Sequence, residues 1–390
     1  MTHALAAVTG GRREHLKPRS WSTRFDVALT LAAACLVIIG ALSVYAATRN
    51  PLLAAGRPGT QYVTRVLVNA AVAVVPAVLV ARSDYRQWPV WVPAVYGGLC
   101  LLLLVVLTPL GASVNGAHGW FAFGPAQLEP SEFMKLGLIL TLAALLGDRR
   151  NREGPPTRRD LVLCLVLTGV PAVLVLAEPA LGIALVLAVI GVTVIGLGGA
   201  PTRWIVSLLL GGVLAGTAAF SLHLLKPYQE ERFSYLNDPQ ASTQTGYQIR
   251  QSEIAIGNGG LTGQGFLQGS QTDGGFIPEQ QTDFIFTVSA EEGGLMAGIV
   301  LLGALGVILL RGISIAIAAS DLLGQLLAGG VTAWLAFQSF VNIGMTLGIM
   351  PVTGLPLPFV SYGGSSLLAD ALGVAVLTSV YRGARTKRAS

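Results

Sequence analysis

The stretch PEQQTDFIFTVSAEEGG, residues 278–294, sets carboxylates at both ends of an apolar segment. Glu279 and Asp283 stand at its polar start, and Glu291 and Glu292 about two turns deeper, in a run that stays apolar to residue 310. A carboxylate at the mouth of such a segment meets water on one side and lipid on the other. Asp283 there can serve as a general base toward a hydroxyl. It can equally cap the helix that begins beside it, a position that Asp favours. The residue types leave both readings open. Glu291 and Glu292 are adjacent and so point about 100° apart on a helix. They are expected in a structural ion pair or hydrogen-bond network at least as readily as in catalysis, with Lys135 a candidate partner inside the bundle.

Lys135 lies inside another apolar run, 132–147, three residues after Glu132 and on the same helical face. A charge at that depth costs about 2.5–3.5 kcal/mol on insertion scales, so it must face protein and hold a partner. A self-neutralising pair with Glu132, snorkelling near the interface, is the simpler reading. Gly363, Gly364, Ser365 and Ser366 follow a cluster of prolines and glycines near the outer end of the last apolar run. They read either as a rigid turn lining a cavity, with hydroxyls offered to a ligand, or as small residues for tight helix packing. His118, beside Trp120, reads as a surface or loop histidine rather than a base.

These residues need a membrane bundle to position them. The chain has 390 residues, 53% hydrophobic and 12% charged, with mean hydropathy +0.65. Soluble domains carry roughly 25% charged residues. Apolar runs fall near 26–46, 62–81, 89–108, 132–147, 160–177, 180–199, 203–222, 284–310, 322–348 and 359–381. The expected fold class is therefore an all-α polytopic membrane protein of about ten transmembrane helices. Glu178-Pro179 separates the fifth run from the sixth, because proline disfavours helix at the residue before it. The first run is too long for a signal-peptide core and reads as an uncleaved helix. Of 25 Lys and Arg, 18 fall in alternate segments starting with the N-terminus, 6 in the others, and Lys135 is left over. That imbalance predicts both termini in the cytoplasm.

The chain reads as a single domain over 1–390, with cytoplasmic tails at 1–25 and 382–390. A large extracellular loop at 223–283 lies between helices 7 and 8. The net charge of +5 is placed as a topology signal, which argues against nucleic acid. GNGGLTGQG at 257–265 lacks dinucleotide-motif spacing and reads as flexible backbone near a membrane-parallel stretch, GYQIRQSEIAI. Cys35, Cys100 and Cys164 each sit in an apolar run without metal or disulfide spacing.

NGAHGWFAFGPAQLEPSEFMKL (115–136), GYQIRQSEIAIGNGGLTGQG (246–265), PEQQTDFIFTVSAEEGG (278–294) and MPVTGLPLPFVSYGGSS (350–366) together resemble the SEDS family, the RodA and FtsW type. The fourth motif is closer to RodA. The resemblance implies a peptidoglycan glycosyltransferase of the bacterial cytoplasmic membrane. Such an enzyme polymerises lipid II on the outer face, releases undecaprenyl diphosphate, and works with a class B penicillin-binding protein during elongation. The division-type polymerase and a lipid II flippase are the alternatives, and a scaffold that recruits an enzyme is a third class.

In that chemistry the C4 hydroxyl of one sugar displaces the diphosphate from C1 of another, which requires a base and cationic or dipolar help for the leaving group. The resemblance makes Asp283 the essential carboxylate. It assigns Glu132 and Lys135 to the cavity floor, with Lys135 as a point charge for the diphosphate. Trp120 stacks on a sugar or anchors its loop, and Ser365 and Ser366 line the cavity. Two departures stand out: Gln281 where the family commonly has His, and Ala180-Leu181-Gly182-Ile183 where it usually has Asp-Leu-Gly-Thr. No metal site is legible. Asp283 with Glu279 or Asp273 is the carboxylate set that would hold a divalent cation such as Mg or Mn beside the diphosphate.

Overall fold

A computed structural model describes residues 26–114, 117–124, 126–147, 155–221, 231–232 and 243–389. The expected N-terminal tail lies outside these residues. The fold is helical almost throughout: α1 (Val27–Ala54), α2 (Gln61–Arg82), a 3-10 turn (Tyr85–Trp91), α3 (Val92–Val106), α4 (Pro130–Gly147), α5 (Arg158–Ala177), α6 (Leu181–Leu197) and α7 (Thr202–Ser221). Beyond the large loop's first part come α8 (Gln244–Gly259), short α9 (Ser270–Gly274), α10 (Ile285–Ala318), α11 (Leu322–Thr346) and α12 (Gly364–Ala389). α12 continues as helix into the expected C-terminal tail as far as Ala389.

Local chemistry marks the ends. Asp26 caps α1 by accepting from the Leu29 N–H at 3.3 Å. Thr157 and Asp160 form a reciprocal capping box on α5. Asp321 caps α11 by accepting from the Gly324 N–H at 2.8 Å, and also accepts from Tyr85 and Arg86. Although burial alone would raise it, these donors hold the Asp321 carboxyl below its ordinary range.

Eight helices among the described residues are long and apolar enough to cross a membrane. α6 and the Thr202–Ala218 part of α7 are apolar but shorter, so the structure accounts for eight of the ten expected spans by length. α4 and α11 form the centre, with 67% of each apolar window buried against 11% in α2. α11 packs on α4, α6 and α10, α10 packs on α1, and α2 packs on α12. Cys164 is buried, Cys35 and Cys100 are half-buried, and none of the three forms a disulfide.

Two loops are more ordered than their composition implies. Residues 112–128 form an antiparallel meander, β1 (Ala112–Val114), β2 (Ala117–Phe123) and β3 (Ala126–Leu128), in spatial order β1-β2-β3. The Asn-Gly pair ahead of β2 is a strong hairpin signal that the all-α expectation passed over.

The glycine-rich stretch expected to be flexible is bonded into a break in α10. Gly294 has φ 62°, outside helical geometry, which frees backbone groups on both sides of it. The Gln264 and Gly265 N–H groups donate to the carbonyls of Glu291 and Glu292 at 2.9 and 3.0 Å. The Leu295 N–H returns a bond to Gly260 at 2.9 Å. Backbone meets backbone here, so side chains are excluded. A β-carbon on Gly259 would lie 1.9 Å from the Ala290 oxygen, and one on Gly263 2.0 Å from the Glu292 oxygen. Gly263→Ala, which also faces φ +81°, should therefore lower the midpoint of thermal unfolding in detergent sharply. Gly257→Ala, in helix with nothing within 4 Å, should leave it unchanged or raise it, and equal effects would disprove the close backbone packing at the α10 break.

Candidate functional site

Lys135 lies fully buried in α4. Its ammonium donates to Glu132 Oε2 at 2.8 Å and Gln338 Oε1 at 2.9 Å, and sits 4.5 Å from the centre of the Trp334 ring. Trp334 donates to the same Gln338 oxygen at 2.7 Å. The Glu132 pairing expected from spacing is present, but deep in the bundle rather than snorkelling. The alternative pairing with Glu291 or Glu292 is not: Lys135 is occupied by Glu132 and Gln338. With two hydrogen bonds and a ring face around it, the ammonium has little left for a diphosphate.

Gln338 also donates to Pro356 O at 2.8 Å. One helical turn on, Asn342 donates to Leu355 O at 2.7 Å and to Asp283 O at 2.9 Å. Tyr362 N–H donates to Gln281 O at 2.9 Å, and Ser361 Oγ donates to Thr282 O. Three consecutive carbonyls, those of Gln281, Thr282 and Asp283, are thus gripped by α11 and the 350–363 loop. The helix-cap reading of Asp283 is overturned. Phe284 is the N-cap residue of α10, and no side chain caps it. Asp283 is held by its backbone, and its carboxylate points elsewhere.

That carboxylate shares its surroundings with Arg232. A β-carbon on Gly354 would lie 3.7 Å from Asp283 Oδ2 and 3.9 Å from each terminal nitrogen of Arg232, in ordinary contact with both, and its φ of +71° favours glycine there. Arg232 is itself oriented by donation to Thr353 O at 3.1 Å. Burial pushes the Asp283 carboxyl up to about 6; Arg232 opposes the rise and Glu279 adds to it. A half-exposed carboxylate tuned toward neutrality beside a cation can take a proton from a hydroxyl while the cation receives developing negative charge.

Toward the meander, Trp120 hydrogen-bonds Glu129, and Ser131 Oγ donates to the same carboxylate at 3.1 Å. Burial, with the Glu132 charge second, pushes Glu129 up to about 8. Glu178, where the α5–α6 turn begins, is buried with neither oxygen hydrogen-bonded. Burial first and the Glu129 charge second push it up to about 8. Ala180, in the expected carboxylate position, leaves Glu178 as the acid of that turn. Trp120 is half-exposed in β2, whereas the His118 side chain lies outside the described residues.

Ser365 and Ser366 do not offer free hydroxyls as expected. Ser365 Oγ accepts from the Glu129 N–H at 3.0 Å and donates to Gln127 O at 3.2 Å, tying β3 to α12. Ser366 Oγ donates to Gly363 O at 3.2 Å. Glu291 is fully engaged elsewhere. It accepts from the backbone and hydroxyl of Thr272, the Gln271 N–H and Ser270 Oγ, anchoring α9 to α10. Glu292 is buried with Oε1 unpartnered. Among the described residues no three His, Cys, Asp or Glu side chains converge as a metal set. Asp273 bonds Asn50 at 2.9 Å, while Glu279 is the carboxylate whose charge reaches Asp283.

Arg232, Gln338, Asn342, Glu129 and Glu178 are site residues that inspection of the sequence passed over. Gln338 and Asn342 carried a signal, since polar residues one turn apart inside an apolar run mark an interior face. Arg232 carried none, because its approach to Asp283 depends on how a long loop folds back.

A family model described as "Cell cycle protein" (FtsW, RodA and SpoVE) matches residues 26–386. The chain is 37% identical over 352 residues to the peptidoglycan glycosyltransferase MrdB of Escherichia coli (strain K12), covering 89% of this chain and 92% of that protein. Among solved structures, it is similar to a chain of a peptidoglycan synthase complex that coordinates polymerization and crosslinking. The TM-score there is 0.77, with 34% identity, 92% of this chain covered and 98% of the other. The rod shape determining protein RodA of Thermus thermophilus follows with TM-score 0.67, 32% identity, 92% of this chain and 97% of that one.

The buried charge yields a stability test. Lys135→Met leaves Glu132 without its counter-ion and should cost about 3–5 kcal/mol, read as a lower thermal midpoint or lost yield. Glu132→Gln on that background should recover part of the loss. A double variant no better than the single would show that another group balances Lys135.

Proposed function

The chain belongs to the FtsW, RodA and SpoVE family of cell cycle proteins, and on that premise we propose that it polymerises lipid II with Asp283 as the base. It is a multi-pass membrane protein and a peptidoglycan glycosyltransferase. In the proposed step, the acceptor's C4 hydroxyl gives its proton to Asp283 as its oxygen bonds to C1 of the donor sugar. The C1–oxygen bond to undecaprenyl diphosphate breaks, and the electron pair leaves with the diphosphate. Arg232 is the cation beside Asp283 and takes the role that Lys135 was expected to fill. Any Mg or Mn would arrive with the diphosphate and meet Asp283 and Glu279. Trp120, with Glu129, forms the sugar-facing wall.

The observation that carries this reading is the Asp283 carboxylate: free of capping duty, raised to about 6, next to Arg232, with its backbone gripped at three successive carbonyls. The distribution of Lys and Arg supports ten spans, both termini in the cytoplasm and the 223–283 loop outside, hence chemistry on the outer face of the cytoplasmic membrane. PVTGLPLPFVSYGGS and the similarity to MrdB support the elongation role. The polymerization–crosslinking complex supports a class B penicillin-binding protein as partner. One feature favours a second reading: a broken membrane helix such as α10 is a transporter device. In that case the protein flips lipid II.

The test is purified protein, wild type and Asp283→Asn, given lipid II. Asparagine keeps the size and loses the base, so glycan synthesis should fall by about 10²–10⁴-fold while expression and thermal midpoint persist. A base must be ionised to act, so wild-type kcat/KM should rise with pH up to about 6 and level off above it. An Asp283→Asn protein that still makes long glycan would refute the assignment. Lipid II movement across vesicles without polymer would establish the flippase reading, and neither activity would leave a scaffold.

A further inference from the structure

We propose that Asp370, on α12, is a positioning residue for the Asp283 base. The inference rests on the polymerase reading above. Asp370 is 1% exposed, and its Oδ2 accepts from the backbone N–H of Phe359 at 3.0 Å. Phe359 has φ 65°, a left-handed conformation that a residue with a β-carbon rarely adopts unless its surroundings enforce it. Residues on either side close the turn on itself: Val360 and Ser361 N–H donate to Leu357 O, and Leu357 N–H donates to Ser361 Oγ at 2.7 Å. α1 presses on the far side, where a β-carbon on Gly40 would come within 2.5 Å of the Val360 oxygen.

This same turn projects the two groups that grip the base segment, Ser361 Oγ on Thr282 O and Tyr362 N–H on Gln281 O. Asp370 therefore acts on Asp283 through Phe359, the turn and the 281–282 carbonyls, without touching the site. Its other oxygen, Oδ1, is buried and unpartnered. A neutral amide could receive the Phe359 N–H as well, so the acceptor oxygen is what the turn needs. The charges of Lys135 and Glu132 are the ones that act on Asp370, which places it at the edge of the network that crosses the bundle centre.

Full-length Asp370→Asn and Asp370→Ala proteins separate the acceptor from the charge, with two readouts. The first is kcat and KM for glycan formation from lipid II. The second, independent of activity, is amide hydrogen exchange in segments 357–363 and 280–284. Asp370→Asn, which keeps an acceptor oxygen, should turn over close to wild type. Asp370→Ala should lose about 10–100-fold in kcat with KM little changed, and exchange should quicken in both segments. An Asp370→Ala protein with wild-type kcat and exchange overturns the inference, as does Asp370→Asn behaving like Asp370→Ala. Should the alanine variant fail to fold, the wild type decides: the Phe359 amide must exchange far more slowly than the same amide in the unfolded chain, and an unprotected rate refutes the bond. A wild type that makes no glycan would sink the polymerase reading, while the exchange results would still decide whether Asp370 holds the turn.

Discussion

An ammonium group sealed from water must place its donors on protein, and Lys135 meets that constraint with Glu132, Gln338 and the face of Trp334. Each partner is thereby fixed. Glu132 comes from the same helix, but Gln338 and Trp334 come from α11, so solvating the charge docks α4 on α11 at the centre of the bundle. Gln338 then has one amide edge directed at the 350–363 loop, and Asn342 repeats the pattern a turn later toward Leu355 and Asp283. The geometry at Asp283 is in this sense downstream of a buried cation that does not touch it. This separates two roles that spacing alone had merged: Lys135 supports the site, and Arg232 is the cation within it.

Much of the helical frame was legible because lipid imposes one rule on every spanning segment, and the apolar runs obey it. Glu178-Pro179 correctly divided α5 from α6 for a backbone reason that needs no neighbours. The i, i+3 spacing of Glu132 and Lys135 likewise announced a real ion pair. What failed to be legible depends on contacts far apart in sequence. Glu291 reads as a member of a structural ion pair or hydrogen-bond network, and it is the network that forms, but the donors are two backbone and two hydroxyl groups of α9 rather than the candidate partner Lys135. Ser365 and Ser366 read as available hydroxyls, yet the meander and the turn already use them.

Glycine was the most misleading residue type. In 257–265 its abundance looked like freedom, whereas Gly259 and Gly263 are demanded by contact with the carbonyls of a broken helix. Irregular backbone at membrane depth is tolerated where protein satisfies its polar groups. The break at Gly294 meets that condition through bonds to Gln264, Gly265 and Gly260. The large loop is consequently a structural part of α10 as well as a cover over it, and the segment carrying Asp283 enters a helix already braced from outside.

That bracing explains how a carboxylate can be both fixed and available. Side-chain hydrogen bonds stabilise an anion and lower its affinity for a proton, and Asp283 has such a bond from Thr282. The segment itself is held by the carbonyls of residues 281 to 283, which constrains its position through the backbone. Burial then raises the carboxyl, and Arg232 and the Thr282 hydrogen bond oppose the rise. At about 6 the group remains mostly ionised at pH 7 while holding a proton some 10²-fold more tightly than an ordinary aspartate. Gly354 brings its backbone close to both the carboxylate and the guanidinium, so the base and the cation face the same stretch of the 350–363 loop.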